Sequence, residues 1–307
     1  MEVFEIKLEV GARFEVGGLS VFPLTSRHTG TVPLLTGPEA LEAGLIVVDE
    51  LDPPEVPSLA ITNLADVPVL LVEGEMLIGG DQNRTMNVTV LCPAKSRTIV
   101  PVSCVEAGRW GDDDRRVVVS SRRHAPASLR AAKTANLRSV MGNGAERLSD
   151  QSRIWDEVDR QSMVHGVYSD TSALDDVQAE LESWIADQLE SIHIFPDQVG
   201  VVCAIGTEVV GVDIFDRPSA LGSYLRAIVA GHALDAPAPS RDTHPLRPGG
   251  DLVHAIEHFL AGMNASARYT DSGVGLGQEI HLRGGLVGIG LTYNDALVHL
   301  AAFPTPA

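Results

Sequence analysis

Apolar and polar positions alternate in short runs over the first 110 or so residues. FEIKLEV (4–10), RFEV (13–16), LSVFPL (19–24), LIVVDE (45–50), SLAITN (58–63), VPVLLVEGEMLI (67–78), MNVTVLC (86–92) and RTIVPVSC (97–104) carry the β-branched, two-residue-period signature that predicts strands. Gly11, Gly17-Gly18, Asp52-Pro53-Pro54, Gly79-Gly80-Asp81 and Cys92-Pro93 punctuate them as turns. Many short strands broken this way favour a sandwich or barrel-like unit.

The period then changes. Ile154, Trp155 and Val158 recur at helical spacing within a polar stretch from Ser149 to Val164. Leu174, Val177, Leu181, Trp184, Ile185 and Leu189 form one stripe, predicting a helix over 174–192. Ser172 is its expected N-cap, and Asp175 and Asp176 fall in the first turn, where the helix dipole favours acids. Beyond it, VGVVCAIG and EVVGVDIF flank Gly206-Thr207 as a hairpin, and Asp216 and Pro218 open a helix with Leu221, Tyr224, Leu225, Ile228 and Val229 inward. A loop over 238–250, a helix over 251–263, the strand QEIHLR and a hairpin turning at Asn294-Asp295 complete the chain.

The expected class is α+β: a β-rich sandwich or barrel-like unit over 1–112, a basic and helical segment over 113–195, and an α+β unit over 196–307. The three form separate units or one continuous domain, and no internal repeat is present. At 307 residues and 44% hydrophobic content the chain can bury a substantial core. No run approaches the ~18 apolar residues of a spanning helix. MEVFEIKLEV lacks the basic and apolar regions of a secretory signal. Cys92, Cys104 and Cys203 are odd in number and widely spaced, which disfavours disulfides and a cysteine zinc site. A cytoplasmic protein with no membrane partner is expected.

The net charge of -18 argues against a nucleic-acid polymer as partner. One region runs the other way. Arg115 to Gly144 holds seven cations and no acid. These side chains either pair with the surplus carboxylates or bind phosphate or carboxylate, since arginine suits both.

The chemistry concentrates between residues 73 and 110. On an unbroken strand Glu73 and Glu75 share a face, as do Cys104 and Glu106. Carboxylates on an otherwise apolar face need partners, and Arg84 and Arg109 are the obvious ones. Gln82, Asn83 and Asn87 both donate and accept, and Trp110 offers a stacking plate. In the functional reading, Glu75 or Glu106 serves as general acid/base while the arginines clamp an anion. In the structural reading, 79–83 is a polar turn and Glu106–Arg109 a surface pair. Cys104 has no neighbouring His and reads first as a small buried hydrophobe. HAIEH (254–258) matches a short inverted zinc-peptidase pattern, but the glutamate that follows, Glu279, falls in a predicted strand. No metal and no cofactor are expected. His299, in a β run, reads as a core histidine.

The run VEGEMLIGGDQNRTMNVTVLCPAKSRTIVPVSCVEAGRW resembles the signature of a bacterial family of unknown function, the ADP-ribosylglycohydrolase and rhodanese-phosphatase-superfamily-associated protein domain. SLRAAK (128–133), QSRIWDEV (151–158), the FDRPSALGSYLRAIVAGHALDA region and GLVGIGLTYNDALVHLAAF extend the resemblance over most of the chain. It implies a link to ADP-ribose and NAD-derived nucleotides. Its motif marks Glu75, Gln82, Asn83, Arg84, Asn87, Cys104, Glu106, Arg109 and Trp110. On this reading the chain binds, and hydrolyses or transfers, an ADP-ribose-like or other phosphorylated nucleotide. Arg84 and Arg109 hold phosphates, Trp110 stacks the base, and Arg130 and Lys133, one helical turn apart, extend the anion site. The alternatives are a non-enzymatic ligand sensor or assembly module whose polar network is structural, and, more weakly, a zinc hydrolase. Sequence leaves the oligomeric state open.

Overall fold

The computed structural model describes residues 7–27, 30, 32–109, 119–137, 147–190, 192–236 and 251–306. The elements run β1 (Glu9–Val10), β2 (Phe14–Val16), β3 (Leu19–Thr25), β4 (Leu35–Thr36), α1 (Gly37–Glu42), β5 (Ile46–Asp49), β6 (Ser58–Asn63), β7 (Val69–Leu71), β8 (Glu75–Ile78), β9 (Arg84–Met86), β10 (Val90–Cys92) and β11 (Ser96–Cys104). There follow β12 (Val119–His124), α2 (Ala127–Asn136), α3 (Gln151–His165) and α4 (Leu174–Leu189). The last third holds β13 (Gln198–Ile205), β14 (Glu208–Phe215), α5 (Pro218–Ala233), α6 (Asp251–Ala265), β15 (Ala267–Ser272), β16 (Gln278–Arg283), β17 (Leu286–Tyr293) and β18 (Ala296–Pro304). The fold is α+β. The start of FEIKLEV and the 238–250 loop lie outside the described residues.

A six-stranded sheet, ordered β12-β8-β9-β11-β6-β5, curves into a half-barrel, and the three-stranded sheet β10-β7-β4 packs on it. Leu59, Ile61, Leu71, Leu77, Met86, Val90 and Val100 fill the space between them. The sheet is antiparallel, with Ser58 opposite Pro101 and Arg84 opposite Cys104. The β5–β6 loop, the β8–β9 turn and the chain leaving β11 therefore share one end of it.

The second sheet has nine strands in the order β1-β3-β13-β14-β18-β17-β16-β15, with β2 also on β3. The strands at the start of the chain thus complete a sheet otherwise made by its last third. Val201 and Cys203 pack toward Tyr224, Leu225 and Ile228 of α5, while Val202 and Ala204 pack toward Leu252, Ile256 and Met263 of α6. The two-residue period of β13 sorts its side chains between these two layers. Among the described residues, no helix is long and apolar enough to cross a membrane.

Local chemistry sets the helix boundaries. Thr36 and Glu39 form a capping box on α1, Asp150 caps α3, and Gly166 ends α3 at φ 65°. Two expected caps are corrected. Ser172 sits at φ 50° and Ala173 precedes α4 without a side-chain bond. Asp216 turns to the Arg217 guanidinium, with Arg217 in the position before α5. Helix α2 has no side-chain cap of its own; the carboxylate of Asp235, just past α5, accepts from the Ser128 amide at 2.9 Å.

Candidate functional site

The β8–β9 turn is built on Gly79 and Gly80, at φ 111° and 63°, a region that glycine enters without strain. Asn83 closes it by accepting from the Gly79 amide at 3.0 Å. Its own amide donates to Glu106 Oε2, also at 3.0 Å. Arg109 then clamps the turn to the chain beyond β11. It donates through Nε to Glu106 Oε1 (3.0 Å), through Nη2 to Glu106 Oε2 (2.7 Å) and Asn83 Oδ1 (3.1 Å), and through Nη1 to the Gly80 carbonyl (2.7 Å). Thr171 Oγ1 adds a bond to Glu106 Oε1 at 2.8 Å. Gln82 donates to the Glu106 carbonyl at 3.0 Å and accepts from the Cys104 thiol at 2.9 Å. Burial alone would raise the Glu106 carboxyl, but the bonds from Arg109, the Asn83 amide and Thr171 outweigh it and hold it below the usual range. This carboxylate is ionised and saturated with donors. Five of the residues singled out in the sequence, Gln82, Asn83, Cys104, Glu106 and Arg109, therefore meet.

Arg84 stands beside them and behaves differently. It is directly opposite Cys104, and the strand period puts it on the core-facing side with Met86, at the first position after the turn. It is fully buried. Its Nε donates to the Val56 carbonyl at 3.1 Å, but Nη1 and Nη2 have no hydrogen-bond partner among the described residues. Among the described residues the nearest carboxylate oxygen is Glu50 Oε1, 3.9 Å from Nη2. Burial pushes the Cys104 thiol up; Arg84 opposes this, while Glu50 and Glu106 reinforce it. Cys104 is a protonated thiol at neutral pH.

The other expected residues go elsewhere. Glu73 and Glu75 do not share a strand face, because Gly74 at φ 85° breaks the 67–78 run into β7 and β8. Glu75 faces Tyr224, whose hydroxyl lies 3.3 Å from its Oε2. Asn87 donates to the Arg147 carbonyl at 2.9 Å and accepts from Ser103 at 2.6 Å. Trp110, Arg115, Arg116 and Arg138 lie outside the described residues.

Arg130 and Lys133 project together from α2, fully buried, into a second cluster between the two sheets. Arg130 binds Glu73 Oε2 through Nε at 2.9 Å and Asp213 through Nη1 and Nη2 at 3.0 and 2.7 Å, and lies over the Phe303 ring. Lys133 Nζ is 2.8 Å from Glu73 Oε1 and also donates to the Met86 carbonyl. His299 spans from Thr89 (2.7 Å) to Asp213 (3.3 Å), so it is a bonded interior histidine. Burial would raise Glu73 and Asp213, but the adjacent cations outweigh it and lower both carboxyls. Burial lowers Lys133, with Glu73 opposing. His232, against Arg130 at 3.1 Å, is lowered to about 4, by burial first and by Arg130 second. Two cations facing two carboxylates leave the cluster neutral. Of the basic segment, Arg122 pairs with Glu42, and Arg123 with Asp175 and Glu182.

Sequence reasoning did not single out Asp213, His232, His124 or Glu50. An acid inside the apolar strand EVVGVDIF was the available signal for Asp213. His254 and His258 are exposed on α6, and among the described residues no three His, Cys, Asp or Glu side chains gather as a metal site.

Fold and site together define an α+β protein with an arginine held at the end of a half-barrel, its amino groups without hydrogen-bond partners among the described residues. A family model described as the ARG and Rhodanese-Phosphatase-superfamily-associated Protein domain matches residues 7–303, and the chain belongs to that family. No curated protein and no solved structure matches it.

Proposed function

We propose that the protein binds a phosphorylated nucleotide of the ADP-ribose type at the end of the half-barrel, with Arg84 as the anion contact. One observation carries this reading: a fully buried guanidinium whose Nη1 and Nη2 have no hydrogen-bond partner among the described residues. Leaving charged donors unpaired in the interior is costly, and phosphate oxygens match their fork. Gln82, Asn83, Glu106 and Arg109 form the wall beside it. Within that wall Arg109 is the second guanidinium, and Glu106, with donors on both oxygens, holds it and the turn in place. The family description supports the ligand class: it associates these domains with ARG, read here as ADP-ribosylglycohydrolase.

The test is thermal shift, calorimetry and product analysis with ADP-ribose, NAD and a cyclic nucleotide at millimolar concentration. Stabilisation of the wild type by one of them, lost in Arg84→Gln, supports the reading; no stabilisation by any overturns it.

A second reading, a ligand sensor or assembly module with a structural polar network, is favoured by Arg130 and Lys133. Both are already neutralised by Glu73 and Asp213. Under it, Glu75→Gln and Glu106→Gln destabilise the fold without removing any turnover.

A further inference from the structure

We infer that Glu50 and Arg84 together form a subsite for a phosphorylated sugar: the guanidinium takes anionic oxygens and the Glu50 carboxylate takes a neighbouring hydroxyl. The inference rests on the ligand-site reading above and assigns a residue that no pattern in the sequence marks. Glu50 directly follows β5, at the same end of the sheet as Arg84. Its Oε1 accepts from the Asp81 amide at 2.9 Å, which fixes the carboxylate, while its buried Oε2 has no hydrogen-bond partner among the described residues.

The 3.9 Å between Glu50 Oε1 and Arg84 Nη2 is within ion-pair range but too long for a hydrogen bond. The two groups orient each other and keep their bonding capacity. The fork presents two donors to phosphate, and the carboxylate beside it presents an acceptor. A bare anion bound to the fork meets the Glu50 charge at close quarters. An anion carrying a hydroxyl satisfies both sides, so the complementary chemistry is a sugar phosphate and not inorganic phosphate or pyrophosphate.

The strap 51–57 lies over the pair. Residues 52–56 of it are exposed, and its Val56 carbonyl covers Arg84 Nε at 3.1 Å. The Pro57 carbonyl, accepting from the Val102 amide at 2.9 Å, anchors the strap's far end.

Calorimetric titration of ADP-ribose and of inorganic pyrophosphate into wild type, Glu50→Gln and Arg84→Gln tests the assignment. Glutamine keeps an acceptor for the Asp81 amide and replaces Oε2 with a donor. Glu50→Gln is expected to lose about tenfold or more in ADP-ribose affinity, the scale of a hydrogen bond to a charged group, while binding pyrophosphate at least as tightly as wild type. Arg84→Gln weakens both. Equal loss for both ligands in Glu50→Gln, or no loss for ADP-ribose, overturns the role of Glu50 and leaves the broader reading standing. A wild type that binds no ADP-ribose overturns both. If Glu50→Gln does not fold, Glu50→Asp, which withdraws the carboxylate by one methylene, is expected to give the same selective loss and fails the proposal if it does not.

Discussion

Arg130 and Asp213 meet through two hydrogen bonds of 2.7 and 3.0 Å with neither side chain exposed to solvent. They join α2 to the nine-stranded sheet, and Glu73 on the other side of Arg130 brings in the half-barrel. Removing one member of such a pair strands the other charge in a low-dielectric interior. Asp213→Asn is expected to destabilise the protein by about 3–5 kcal/mol, read from the denaturant midpoint. An Arg130→Met, Asp213→Leu double variant, which strands neither partner of the pair, should lose less than the sum of the single variants. Simple additivity would contradict the coupling.

His232 gives the cluster a pH dependence of definite sign. Its ring is held neutral, with a pKa lowered to about 4 in the folded protein against 6.5 in the unfolded chain. Between those values the unfolded state binds more protons than the folded state. Stability is fully present above about pH 6.5 and falls as the pH drops toward 4, by on the order of 3 kcal/mol from this group. Unfolding midpoints measured across pH 4–7 should show the fall, and His232→Asn should flatten it. An unchanged profile in that variant would assign the dependence to other groups.

Glu106 receives donors on both carboxylate oxygens. Glu106→Gln leaves the buried Arg109 without its counter-charge and turns one of the two accepting oxygens into a donor. A loss of about 2–4 kcal/mol is expected, with faster amide exchange over 79–83 and little change around α2. Uniform exchange across the protein would show that the clamp is not local.

Gly74 has no room for a side chain. A Cβ there would lie 2.4 Å from His124 Cε1 and 2.7 Å from Arg130 Nε, at a φ of 85°. Gly74→Ala is therefore expected to accumulate as insoluble protein, while Gly44→Ala, at positive φ with open space around it, stays soluble with a small decrease in melting temperature. Equal behaviour of the two would refute the steric argument.

What the sequence made legible follows from the range of the interaction involved. The β13–β14 hairpin, the α4 stripe and the β17–β18 turn at Asn294 and Asp295 are local patterns, and the structure has them where periodicity puts them. The spacing of Arg130 and Lys133 was also readable, as two cations on one helical face. Their partners were not: Glu73 comes from the turn between β7 and β8 and Asp213 from β14, on either side of α2 in sequence, and nothing near residue 130 names them. The Glu73–Glu75 alternation misled because one glycine turned the chain between them. Clustering of Gln82, Asn83, Cys104, Glu106 and Arg109 is legible as a composition. That Arg84 is the member whose amino groups have no partner among the described residues depends on the strap from 51–57 and on Glu50, set by the pairing of β6 with β11.

The place of β3 has a consequence for synthesis. Leu19 pairs with Ile205, 186 residues later in the chain. When the half-barrel strands have all left the ribosome, this hydrophobic ribbon still lacks the neighbour that will cover its edge. Closing so large a loop slows folding and lengthens the time an unpaired edge is available to other chains. Strands β3 and β13, far apart in the chain, are sewn into one sheet, so maturation waits for β13 to emerge, and a chain cut short before β13 is prone to coaggregate.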